Sequence, residues 1–269
     1  MYSHLHVALA AVALYVLYAF WLGVVPDGFY LIFLFASTVL YYTFLRIIHL
    51  SEMRVCVARW FEMNLKRVLI LDLFLSVVLV YAVFGLTYAR LLKIFLVLIP
   101  AVMYHLNSQW GKVFSWRNIG WVKILVISLV WAAMTVWVPF SGTVDNDRLS
   151  LVFFHAVIFV LLWTLPFDIR DLSMDAVSLK TIPQVFKEKT LAVAFAVVSV
   201  YVLLTLYLEM KLGRTFLSLI FVMAGLLLLG AVALAPKKSE DYYFTAFWVE
   251  GIPVLMLSIA VVWRFFFIR

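Results

Sequence analysis

The side chains with the most chemical reach stand in one short stretch, Trp163-Thr164-Leu165-Pro166-Phe167-Asp168-Ile169-Arg170-Asp171-Leu172-Ser173-Met174-Asp175. Asp168, Asp171 and Asp175 are spaced i, i+3 and i+7. That spacing puts them on one face of a helix, because two turns take about seven residues. Three carboxylates on one face repel one another unless a divalent cation or several basic groups neutralise them. Oxygen-only ligation suits Mg²⁺, which binds through one or two carboxylates and completes its shell with water and substrate phosphates. A metal held this way neutralises the charge that builds on a diphosphate leaving group. Arg170, Lys180, Lys187 and Lys189 stand nearby as phosphate contacts. The plainer reading is a solvated helix end whose acids are balanced by neighbouring lysines, and spacing alone does not beat it.

A membrane must position these acids. Hydrophobic residues make up 67% of the chain and charged residues 13%, about half the charge of a soluble domain. Folding a chain of this length removes only roughly 75% of its surface from water, so a soluble fold would be left with large apolar patches. The net charge of +7 comes from basic residues set between apolar runs, where they orient a membrane protein, and a nucleic-acid partner is not expected. Cys56, the single cysteine, excludes an internal disulfide and lacks the adjacent His or acid that nucleophilic work needs. Met1 to His6 carry no Lys or Arg, unlike a secretory signal, so residues 7–25 read as a retained first helix.

A spanning helix needs roughly 20 mostly apolar residues. That ruler predicts an all-α, polytopic bundle of about nine transmembrane helices in one domain over 1–269. The runs are 5–25, 29–50, 68–87, 91–106, 121–140, 150–167, 190–210, 213–235 and 243–266. Turn signals separate them, among them Pro26-Asp27-Gly28, Ser141-Gly142-Thr143 and Pro236-Lys237-Lys238. The loops after runs two, four, six and eight carry fourteen Lys and Arg, the opposite loops five. The positive-inside rule then predicts a cytoplasmic N-terminus and Asp-rich loop, with the C-terminus outside. The expected location is a bacterial inner membrane, with membrane lipid as the immediate partner. Trp and Tyr near the run ends, such as Tyr41-Tyr42, Trp60 and Trp137, fit an interfacial belt.

Asp168-Ile169-Arg170-Asp171-Leu172-Ser173-Met174-Asp175, followed by Lys180-Thr181-Ile182-Pro183, resembles the second aspartate-rich motif of the UbiA superfamily of membrane prenyltransferases. The resemblance implies a nine-helix bundle with two such motifs on cytoplasmic loops after helices two and six. It implies Mg²⁺ held by Asp168, Asp171 and Asp175, with Lys180 touching a polyprenyl diphosphate. The allylic cation formed on ionisation would be captured by an aromatic or other small acceptor. The family's first motif, of the type N-D-x-x-D, is missing: Tyr41-Tyr42-Thr43-Phe44-Leu45-Arg46 stands in its place, and only Arg46 matches the basic residue that often ends it. Leu179 also stands where a glycine often precedes the Lys-Thr segment.

Arg46, Lys112, Arg117 and Lys180 are the candidate diphosphate contacts. Lys112, Arg117 and Lys123 follow His105 and Asn107 and form either a phosphate-binding mouth or ordinary positive-inside charge. Asp72, just inside run three, reads first as an interfacial group or a partner for Arg67, and Glu52 and Glu62 as solvated. His155 reads as a hydrogen-bonded helix contact, while His4 and His6 show no metal spacing. Gly225 and Gly230 suit close helix packing or a break. Three functions follow: a divergent prenyltransferase; a non-catalytic relative that binds isoprenoid or lipid, or serves as a complex subunit; and, least favoured, a transporter, since acids concentrate at run ends rather than at mid-membrane.

Overall fold

The computed structural model describes residues 4–48, 55–110, 122–172, 180–238 and 243–267. Its helices are α1 (Leu5–Leu22), α2 (Gly28–Ile48), α3 (Val55–Phe84), α4 (Tyr88–Trp110), α5 (Val122–Ala132), α6 (Asn146–Arg170), the short α7 (Ile182–Phe186), α8 (Thr190–Leu212), α9 (Thr215–Leu234) and α10 (Ile252–Phe267). A π turn, Ala133–Trp137, and a last turn, Val138–Phe140, prolong α5; a second π turn, Phe244–Val249, precedes α10. Eight spans among the described residues are long and apolar enough to cross a bilayer. The chain is an all-α, polytopic integral membrane protein. The helix α4 is not among the eight: Arg90 and Lys93 open it, and its unbroken apolar stretch covers only 94–104.

Helix α1 lies at the centre, packed by α2, α9, α10 and the π turn of α5. Its small residues Ala8, Ala10, Ala11 and Ala19 are buried and let neighbours approach, while Tyr15, Tyr18 and Trp21 fill the space between. Helix α6 forms the second hub, against α5, α8 and α9. By contrast α3 turns Leu73, Phe74, Val77 and Phe84 outward, as a lipid-facing helix does. The expected third run, 68–87, is part of a longer helix. No Gly or Pro interrupts residues 55–84, so the helix starts well before the apolar stretch.

One polar side chain inside the bundle has a partner for each ring nitrogen. His155 is fully buried, with Nδ1 3.1 Å from the Tyr18 hydroxyl and Nε2 3.0 Å from Thr205 Oγ1; it is a helix–helix contact, as expected. Gly225 lets α9 close on α8, because a Cβ there would sit 2.8 Å from the Tyr201 ring. The same test at Gly230 meets open space.

Each π turn lies beside a proline, and each has a carbonyl that takes its donor from another helix. In the first, the Val138 N–H reaches back to Ala133 O. The next carbonyl in that pattern, Met134 O, would pair with residue 139, which is Pro139 and has no N–H. The Tyr30 hydroxyl donates to Met134 O instead, at 2.5 Å. In the second, Glu250 N–H donates to Thr245 O at 3.1 Å, and Pro253 cannot serve Val249 O. Trp163 Nε1–H donates to that oxygen at 2.7 Å. In a bilayer a freed carbonyl needs such a donor from a neighbouring helix.

Candidate functional site

The end of α6, the end of α2, the start of α5, the residue before α1 and the turn before α10 meet at one end of the bundle. Asp168 lies in the last turn of α6 and is buried, with Oδ1 3.0 Å from Lys123 Nζ on α5. Asp171 follows the last helical residue. Arg170 grips it with two hydrogen bonds, Nε to Oδ1 at 2.7 Å and Nη2 to Oδ2 at 2.8 Å. The remaining Arg170 donor, Nη1, reaches Thr245 Oγ1 at 2.8 Å and ties α6 to the turn before α10.

Glu250 sits in that turn, within electrostatic range of both Arg170 and Arg46. Arg46 is buried near the end of α2. His4 stands beside it, its ring 5.8 Å from that of Tyr42. Burial first, and then the Arg46 charge, hold His4 down to about 3, so it is neutral at physiological pH. His6 Nε2 lies 3.1 Å from Phe247 O. The result is a mixed cluster of carboxylates and cations rather than a ring of acids.

An apolar cleft of about 110 Å³ opens beside this cluster. It lies between α1, α2, α4 and the α5 segment, with Phe33, Tyr41, Trp131 and Met134 in its walls and Ser37, Thr38 and Thr135 as its polar points. Tyr42 belongs to both, lining the cleft and facing His4. The cleft therefore ends at the polar cluster.

The expected three-aspartate face is described only in part. Helix α6 runs to Arg170, and Asp171 is its C-cap, with φ −90° and ψ 5° and its N–H still closing the last turn on Phe167 O at 2.9 Å. Of the two that are described, Asp168 stands inside the helix and Asp171 caps it, while Asp175 lies outside the described residues. Among the described residues no three His, Cys, Asp or Glu side chains gather as a metal-binding group. Asp168 and Asp171 are already charge-paired, so the described residues by themselves do not fit a Mg²⁺ ion. Lys180 is exposed, and Lys112 and Arg117 lie outside the described residues. Arg67 donates to Asn64 Oδ1 at 3.3 Å, while Asp72 lies against Thr43; the expected Asp72–Arg67 pair is not formed. Glu62 is exposed on α3, and Glu52 lies outside the described residues.

Comparison with protein-family models, with curated proteins and with solved structures finds no significant match. The site must be read from its own chemistry. Sequence reasoning passed over Glu250, although a lone acid inside the ninth apolar run was a signal in plain view. It counted Lys123 as loop charge, and nothing local to α5 could reveal its partner on α6.

Proposed function

We propose that this chain is a divergent UbiA-like bundle that holds the chain of an isoprenoid or lipid in the cleft between α1, α2, α4 and α5, without prenyl-transfer chemistry. The observation that carries this reading is the pairing of Asp168 with Lys123 and of Asp171 with Arg170. Carboxylates whose charge is met by built-in cations have a fixed structural task and little demand for a metal. Taking one partner away would leave a buried charge unmet, at a cost of several kcal/mol (about 3–5). The reading takes α4 as the ninth span and the cluster as the cytoplasmic end, in a bacterial inner membrane.

The amphiphile's apolar tail would lie against Phe33, Trp131 and Met134, with its head at Tyr42 and the Arg46 region. Burial of apolar surface supplies the affinity, roughly 0.8 kcal/mol for each buried CH₂, and the cations at the cleft's end favour an anionic head.

A second reading, prenyl transfer with Asp168, Asp171 and Asp175 around Mg²⁺, draws on one specific observation: Arg46 and the α6 aspartates share one end of the bundle, beside the cleft. Titration of purified protein with geranylgeranyl diphosphate, with and without Mg²⁺, separates the two, using wild type and Asp171→Asn. Binding that ignores Mg²⁺ and survives the substitution is expected. Mg²⁺-dependent binding lost in Asp171→Asn overturns the proposal in favour of the enzyme. Absence of binding in a folded protein removes both ligand-binding readings and leaves a structural subunit.

A further inference from the structure

At the opposite end a cleft of about 400 Å³ opens where α1 and α8 end and α9 begins, against the last turns of α10. Its walls are apolar and aromatic. Phe216 stacks on Trp263 at 4.1 Å, and Trp263 stacks in turn on Phe267 at 4.1 Å. Two guanidinium groups stand over it. Arg264 lies on the Phe20 ring, 4.8 Å from its centroid. Arg214 lies over Gly23, so close that a Cβ on that residue would come within 2.8 Å of Nη2. Gly23 has φ 73° and closes α1, which leaves its Cα bare on the side where Arg214 rests.

Neither arginine forms an ion pair with a carboxylate among the described residues. The nearest acid in sequence, Glu209, accepts a hydrogen bond from Thr215 Oγ1 at 2.5 Å. Elsewhere at this end Arg90 pairs with the carboxylate of Asp27, while Lys93 donates to the Ser141 carbonyl at 3.1 Å.

We infer that the cleft binds an anionic phospholipid of the surrounding leaflet. One acyl chain lies on the Phe216–Trp263 wall, and the phosphate is shared between Arg214 and Arg264. The chemistry matches at both ends. Guanidinium forks offer paired donors to phosphate oxygens, and ring faces offer apolar contact to a chain. A zwitterionic headgroup brings its own cation, which the two arginines repel. The site is independent of the cleft at the Asp-bearing end.

Native mass spectrometry of the purified full chain, titrated with phosphatidylglycerol and with phosphatidylcholine of matched chains, tests it. Wild type should bind phosphatidylglycerol at least about tenfold more tightly than phosphatidylcholine. Arg214→Gln with Arg264→Gln should abolish that preference, whereas Arg148→Gln, an exposed charge at the same end, should leave it intact. The charge-conserving pair Arg214→Lys with Arg264→Lys should keep part of it, which guards against a folding defect in the first variant. Equal binding of the two lipids by wild type, or the same loss in Arg148→Gln, overturns the inference. So does full competition by soluble glycerol phosphate, which would mark a site for a free anion rather than a lipid.

Discussion

Asp27 does two jobs at once. Its Oδ1 accepts the N–H of Phe29 at 2.9 Å and of Tyr30 at 3.3 Å, capping α2, while Oδ2 pairs with Arg90 of α4. Burial pushes its carboxyl up, but the Arg90 hydrogen bond and the two N–H groups outweigh that and hold it below the ordinary value. A depressed folded pKa contributes stability that is present above the unfolded value, about 3.9, and is lost as pH falls through the folded one. Asp27→Ala should therefore cost about 1–2 kcal/mol near neutral pH, most of it from the cap, because a partly exposed ion pair adds little. Thermal unfolding in detergent should show the gap between wild type and variant narrowing as pH drops below about 4. At this scale the sequence was only half legible. Asp168 and Asp171 stood out by type and spacing, but their partners did not. Lys123 is 45 positions from Asp168 in the chain, and nothing in either segment names the other.

Helix boundaries were legible where breakers stand and uncertain where they do not. Pro26-Asp27-Gly28 and Gly213 mark real ends, and the Gly23 and Gly213 backbones, at φ 73° and 62°, show why a glycine sits there. The start of α3 was misplaced because an apolar ruler measures the membrane, not the helix. The π turns were out of reach, since each depends on an aromatic donor from another helix. That dependence is testable. Trp163→Phe should leave Val249 O without its donor and cost about 1–3 kcal/mol. Adding Pro253→Ala supplies an N–H in the same helix and should recover much of the loss. A double-mutant cycle on unfolding midpoints measures the coupling; additive losses would mean that Trp163 acts only by packing.

For the whole molecule, composition alone dictated the class, an all-α protein dissolved in lipid, and the bundle's eight qualifying spans agree with it. The proposed orientation puts Glu188 in the cytoplasm and Asp147 outside; both are exposed. In a Cys56→Ser background, Asp147→Cys should react with an impermeant maleimide on intact cells, and Glu188→Cys should react only after lysis; the reverse pattern would invert the topology. Where α1 sits has a further consequence, in the order of manufacture. It leaves the ribosome well before α10, yet its finished surroundings include that helix. Until α10 is inserted, the side of α1 that it covers has only lipid or a chaperone against it. A nascent chain that stalls before α10 thus carries its own mark of incompleteness, an unfilled groove along α1, and insertion of α10 erases it.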